Sequence, residues 1–99
     1  IKLISDKSLK NPLFDGFVAL GCVIKGETYH FNIVANESAR AISDLTINHS
    51  IPIGNGILTV SNRDQAIKRS DPLKSNKGAD AALACLSLIN VKNSISYER

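Results

Sequence analysis

An apolar run extends from Phe17 to Ile24, eight residues without a charged or strongly polar side chain. Phe, Val and Ile in this run favour a β-strand, and unbroken apolarity is typical of a strand buried on both faces of a parallel sheet. The polar residues 25–28 follow, and the pattern becomes helical from about Tyr29. The sequence therefore predicts a buried strand, a short turn and a helix in direct succession.

Helical spacing of apolar residues predicts two longer helices. The first extends from about Tyr29 to about His49, and the last follows the polar loop 74–78. Residues 90–99 are polar and are expected to fray. The apolar positions are Phe31, Val34, Ala35, Ile42 and Leu45 in the first helix, and Ala79, Ala82, Leu83, Leu86 and Ile89 in the last.

Residues 51–60 predict a second strand, which contains Gly54 and Gly56. Glycines inside a strand indicate either a close approach to the backbone or a bulge, and the sequence does not separate these alternatives. Ser61 is the predicted N-cap of a short helix that ends at about Ser70. Upstream, residues 1–10 predict the end of a helix that stops before Pro12, so we expect further residues before Ile1.

The composition indicates one domain, residues 1–99, with 43% hydrophobic residues and a formal charge of +3. Scattered Lys and Arg with few aromatics give no support to nucleic-acid binding, and no apolar run is long enough for a membrane span. Cys22 and Cys85 lie in apolar surroundings, which predicts two buried free thiols in a reducing compartment. The sequence has no metal-ligand spacing, so we expect no metal site. It shows no signal peptide, so we expect a cytoplasmic location.

The turn after the first strand is the strongest candidate for chemistry. A strand, a turn with Gly26 and a helix N-terminus leave backbone N–H groups unpaired, which favours an anion such as phosphate. His30 lies beside the same point and has a titratable imidazole. The alternative is an ordinary strand-to-helix connection with a surface histidine. Arg69 is likewise either a helix-end cation or a phosphate ligand.

Two strands joined by helices indicate an α/β fold with open sheet edges and uncovered helix faces. Further residues or neighbouring subunits must cover them.

Four ordered blocks resemble the lumazine synthase family, which makes 6,7-dimethyl-8-ribityllumazine in riboflavin biosynthesis. They are residues 19–31 (ALGCVIKGETYHF), 34–37 (VANE), 56–59 (GILT) and 76–82 (NKGADAA). The resemblance implies a flavodoxin-like three-layer sandwich around a mainly parallel sheet, here without its N-terminal strands. It also implies self-association into pentamers or larger assemblies, with active sites at the subunit interfaces.

The implied reaction joins 5-amino-6-(D-ribitylamino)uracil to 3,4-dihydroxy-2-butanone 4-phosphate and releases phosphate and water, with no metal or organic cofactor. By resemblance His30 transfers protons, and Gly26, Glu27, Thr28 and Arg69 bind the phosphate. The other substrate contacts implied are Cys22, Val23, Ile24, Asn55 and Lys77.

In this family Arg69, Lys77 and the residue at Asn55 come from the neighbouring subunit. Asn55 departs from the family pattern, which often has phenylalanine there, so a polar contact is expected instead of stacking. Asp80, where glutamate is common, is an expected acidic partner for nearby cations. Two alternatives stay open: a shell-forming or substrate-binding relative without turnover, and a phosphate-binding α/β module unrelated to flavin synthesis.

Overall fold

The computed structural model describes residues 1–5 and 14–97. Its elements in chain order are α1 (Lys2–Ser5), β1 (Phe17–Ile24), α2 (His30–His49), β2 (Ile53–Val60), α3 (Arg63–Ser70) and α4 (Lys77–Tyr97). They confirm the α/β class and agree with the predicted strands and helices. The predicted stop of the first helix before Pro12 lies outside the described residues.

β1 and β2 pair in parallel along all eight residues of each strand. At the two ends of the pair, Phe17 and Lys25 donate backbone N–H groups to the carbonyl oxygens of Pro52 and Val60, both at 2.9 Å. Backbone groups alternate in direction along a strand. In β2, therefore, the groups of even-numbered residues face β1, and those of odd-numbered residues face the other edge. Within the described residues that edge has no strand partner.

Helix α4 packs on β2 where the two strand glycines lie. A Cβ atom on Gly54 would overlap the Ala81 carbonyl oxygen, and one on Gly56 would lie 3.1 Å from the Ala81 side chain. The close-approach alternative is therefore the right one for these glycines, and the approaching group is a helix. Among the described residues, the buried apolar side chains are Ile51, Ile53, Val60, Ala81 and Cys85.

β1 is not buried on both faces, so that expectation was wrong. Leu20 is 69% exposed, and Val18, Cys22 and Ile24 are exposed as well. The reason is that α4 packs mainly on β2 and leaves this row of β1 side chains open. Both thiols were expected to be buried. Cys85 is buried, whereas Cys22 is exposed.

The face that α4 turns towards the sheet also differs from the predicted one. Leu83 and Leu86 are 62% and 56% exposed, whereas Ala81 and Cys85, four residues apart, are buried. A helix that contacts glycine backbone needs small side chains at the contact, and the leucines are too large for it. Helix α4 also continues to Tyr97, so residues 90–97, which were expected to fray, belong to the helix.

Helix α3 begins one residue later than predicted. Asn62 is the N-cap, and its side-chain oxygen accepts the backbone N–H of Gln65 at 2.9 Å. The Gln65 side chain accepts the backbone N–H of Ser61 at 2.8 Å. These two contacts resemble a capping box, but the Gln65 side chain binds the backbone N–H of Ser61, the residue before the N-cap.

Candidate functional site

The turn between β1 and α2 carries four consecutive backbone N–H groups that donate to no described residue. They belong to Gly26, Glu27, Thr28 and Tyr29, all of them exposed. The N-terminal end of α2, which bears partial positive charge, follows at once. The arrangement is chemically suited to an anion with several oxygen acceptors, such as a phosphate.

Thr28 and His30 are joined at this point by a hydrogen bond. The Thr28 hydroxyl oxygen accepts the backbone N–H of His30 at 3.4 Å, in the first turn of α2. The hydroxyl proton remains for a ligand oxygen, because a hydroxyl both donates and accepts. The His30 side chain is exposed and adjacent to the turn, where an imidazole can exchange protons with a bound ligand.

The last three residues of β1, Cys22, Val23 and Ile24, lead directly into the turn. Val23 is half-buried, and Cys22 and Ile24 are exposed. Cys22 also lines a cavity of about 260 Å³ together with Leu58 of β2 and Gly78 of α4. The backbone of this strand end lies next to the turn, and the Cys22 side chain faces the cavity.

Asn55, Arg69 and Lys77 come together in a cleft of about 470 Å³. Asn55 lies in β2, Arg69 in α3 and Lys77 in α4. We call this the β2–α4 cleft. Its lining residues are Asn55, Gly56, Ile57, Leu58, Thr59, Arg69, Lys77, Asp80, Ala81 and Ala84.

Three polar residues of the β2–α4 cleft make contacts within the chain. Arg69 is half-buried and donates from Nη1 to the Gln65 carbonyl oxygen at 3.3 Å. Lys77 Nζ lies 3.5 Å from an Asp80 carboxylate oxygen, as expected for an acidic partner. That pair is well exposed, so it contributes little stability. The Asn55 side-chain oxygen accepts the backbone N–H of Ile57 at 3.0 Å.

The turn and the β2–α4 cleft are separate places in one chain. Residues 26–28 and His30 do not line the cleft. Asn55 is opposite Ala19 in the strand pair, five residues before Val60, where β2 ends next to the turn. That distance is roughly 16 Å along a strand. The cleft continues along β2 to Thr59, one residue before the end of that strand. The predicted site residues therefore fall into two sets, those of the strand end and turn and those that line the cleft.

Sequence reasoning missed two contributors to the cleft, Thr59 and Gln65. Thr59 lines the cleft with an exposed hydroxyl, and alternation in β2 puts it on the same side as Asn55, which was the available signal. The Gln65 carbonyl orients Arg69, and a contact to a backbone carbonyl leaves no mark in side-chain identity.

Within residues 1–5 and 14–97, His, Cys, Asp and Glu side chains form no group of three or more suited to a metal ion. No helix in this part of the chain has the length and apolarity to cross a bilayer.

A family model and several curated proteins match this chain, and all carry the same description. Residues 1–93 match the family model described as 6,7-dimethyl-8-ribityllumazine synthase. The chain is 57% identical over 84 residues to a protein of that name from Zymomonas mobilis, covering 85% of this chain and 60% of the relative. It is 55% identical over 86 residues to 6,7-dimethyl-8-ribityllumazine synthase 1 of Rhizobium meliloti, and the match covers 87% of this chain and 56% of the relative.

A third relative, 6,7-dimethyl-8-ribityllumazine synthase of Bartonella henselae, is 60% identical over 79 residues, covering 80% of this chain and 51% of the relative. The chain thus spans between half and three-fifths of the length of these curated relatives.

Proposed function

Because this chain belongs to the 6,7-dimethyl-8-ribityllumazine synthase family, we propose that the protein condenses 5-amino-6-(D-ribitylamino)uracil with 3,4-dihydroxy-2-butanone 4-phosphate. The products are 6,7-dimethyl-8-ribityllumazine, phosphate and water. Phosphorylated substrates are retained inside cells, so the proposal includes a cytoplasmic location.

The observation that carries the proposal is the turn at residues 26–28, whose N–H groups donate to no described residue and lie next to His30 in the chain. The phosphorylated butanone needs an anion site, and its condensation with an amine needs proton transfer. Both requirements meet at this turn. The N–H groups of Gly26, Glu27 and Thr28 and the Thr28 hydroxyl would hold the phosphate oxygens.

Catalysis in this proposal combines orientation with proton transfer. The end of β1, residues 22–24, would align the pyrimidine ring through its backbone, so that the ring amine faces the butanone carbonyl. His30 would pass protons as the amine and the carbonyl form a Schiff base with loss of water, and as the phosphate leaves. The second carbon–nitrogen bond then forms between the ribitylamino nitrogen and the remaining carbonyl carbon, with loss of a second water molecule, and completes the new ring.

The β2–α4 cleft supplies the complementary half of the proposed site. Arg69 and Lys77 bring cationic groups suited to a phosphate, but the turn lies beyond the end of β2 in the same chain. We therefore propose that each active site combines the turn of one subunit with the cleft of its neighbour, in pentamers or larger assemblies. A ring is the closed form that such a head-to-tail contact generates.

The deciding experiment incubates the full-length protein with both substrates under anaerobic conditions and follows lumazine absorbance and phosphate release. Appearance of both products in equal amounts supports the proposal. Binding of the substrates without any turnover would favour the second candidate, a shell-forming or substrate-binding relative. The exposed strand β1 needs a cover, which either a neighbouring subunit or further residues of the protein would supply.

A further inference from the structure

Positive charge is concentrated in α3 and in the loop that joins it to α4. Residues 63–80 contain five of the 12 Lys and Arg residues of the chain and three of its 9 Asp and Glu residues. Two of the three net positive charges of the chain therefore lie in this short segment. Arg69 and Lys77 of the segment line the β2–α4 cleft, whereas Lys68 and Lys74 do not. The latter two lysines thus lie outside the proposed site.

Backbone hydrogen bonds hold Lys68 and Lys74 on neighbouring stretches of the chain. The Lys68 carbonyl oxygen accepts the backbone N–H of Ser75 at 3.2 Å, and the Asp71 carbonyl oxygen accepts that of Lys74 at 3.0 Å. The loop therefore folds back against the last turn of α3. Each lysine is within three residues of a cation of the cleft along the chain, so both lie beside the cleft.

Neither lysine is neutralised by a described carboxylate. Both side chains are exposed, and within residues 1–5 and 14–97 neither forms an ion pair. Two of the three carboxylates of the segment have other neighbours. An Asp71 side-chain oxygen accepts the backbone N–H of Leu73 at 2.9 Å, and Asp80 lies beside the lysine of the cleft. The two ammonium groups therefore present their charge to solvent.

Exposed charges act on an approaching ion before any contact forms. Their field extends about 10 Å at 0.1 M salt and about 30 Å at 0.01 M salt. A phosphate monoester carries nearly two negative charges at neutral pH, so it is attracted over this range and reaches its site more often. Such steering raises the association rate and weakens as salt is added, whereas a direct contact also slows dissociation.

We propose that Lys68 and Lys74 are steering residues, which speed the capture of the phosphorylated butanone without contacting it when it is bound. The inference rests on the proposed function and adds two residues that act on its first step. The ribitylaminouracil substrate has no phosphate, so its capture is independent of them. The two substrates should therefore respond differently to loss of these charges.

The test measures capture directly on the full-length protein. Line-shape analysis of the 31P signal of 3,4-dihydroxy-2-butanone 4-phosphate gives its association and dissociation rate constants, and inorganic phosphate is the second probe. In Lys68→Gln/Lys74→Gln the association rate constant should fall about fivefold at about 0.01 M salt, while dissociation changes less than about twofold. At about 0.5 M salt the variant and the wild-type protein should agree within about twofold.

Two further double variants separate charge and position from structure. Lys68→Arg/Lys74→Arg keeps both charges and should keep the wild-type association rate. Lys2→Gln/Lys92→Gln removes the same charge from a cavity at the opposite, N-terminal end of the strands and should change the rate much less. The KM for the ribitylaminouracil substrate should be the same in all variants.

The results separate the inference from the proposed function. An unchanged association rate in Lys68→Gln/Lys74→Gln at low salt overturns the inference, and so does an equal fall in Lys2→Gln/Lys92→Gln or a fall that persists at high salt. Lumazine formation alongside any of these results leaves the proposed function standing. Salt-sensitive capture of inorganic phosphate that depends on both lysines, in a protein that forms no lumazine, supports steering and refutes the proposed function. A protein that binds neither probe overturns both.

Discussion

Gly54 contacts the Ala81 carbonyl so closely that no side chain fits between strand β2 and helix α4 at this point. The obstructing atom is backbone, which cannot rotate away as a flexible side chain can. This contact decides where α4 lies on the sheet, and it places Lys77 and Asp80, in the first turn of α4, beside the β2–α4 cleft.

Replacing Gly54 by alanine should therefore destabilise the protein by about 3 kcal/mol, the upper range for overpacking a core. Urea unfolding of the full-length protein measures the loss. Gly78→Ala is the matched control, because a Cβ atom there meets nothing within 4 Å. Equal stability of the two variants would contradict the packing described for α4.

The N-cap of α3 gives a second prediction. Asn62→Ala removes the side-chain acceptor of the Gln65 N–H and should lower the free energy of unfolding by about 1 kcal/mol. Ser61→Ala should have little effect, since Ser61 contributes its backbone N–H. Chemical denaturation of both variants checks the assignment, and a larger loss for Ser61→Ala would reverse it.

The strands and helices were predictable from the sequence, whereas the packing of α4 on the sheet was not. Apolar runs located both strands and helical spacing located the longer helices, because both are local properties of the sequence. Helical spacing gave the wrong face of α4, because the choice between Leu83 and Ala81 depends on glycines in a strand distant along the chain.

The candidate site likewise combines features that the local sequence predicts with features that depend on distant residues. A strand followed by a Gly-containing turn is a local signal, so the turn and His30 could be selected from sequence. Grouping Arg69 with Lys77 needed a resemblance to known proteins. The contact between Asn55 and Ile57 could not be foreseen, because it depends on which way each backbone group of β2 points.

His30→Ala should reduce kcat between about a hundredfold and ten-thousandfold, the usual range for losing a positioned acid or base. The histidine at the other end of α2 provides the control: His49→Ala should leave turnover unchanged. Steady-state kinetics of both variants, with sedimentation to verify unchanged assembly, make the comparison. Equal rates for His30→Ala and wild type would remove the imidazole from the mechanism.

Arg69→Ala should raise the KM for the butanone phosphate about ten- to hundredfold, because a hydrogen bond to a charged group is lost. The KM for the uracil substrate should change much less. Arg63→Ala, at an exposed position in the same helix, controls for loss of positive charge. An equal increase of this KM in Arg69→Ala and Arg63→Ala would indicate a general electrostatic effect and refute a direct contact between Arg69 and the phosphate.

Mixed assemblies test whether two subunits share a site. His30→Ala and Arg69→Ala chains, unfolded and refolded together at equal amounts, should recover activity to about a quarter of the wild-type level, because one neighbour pair in four joins two intact halves. Each variant refolded alone sets the baseline. If both residues act within one chain, the mixture will be no more active than the average of the two baselines.

The His30 N–H donates to the Thr28 hydroxyl oxygen, so one oxygen atom joins the proposed phosphate site to the first turn of α2. In the proposed mechanism, a phosphate that shifts this hydroxyl would also shift the backbone that carries the imidazole. Thr28→Val would remove this connection without changing the charge of the site.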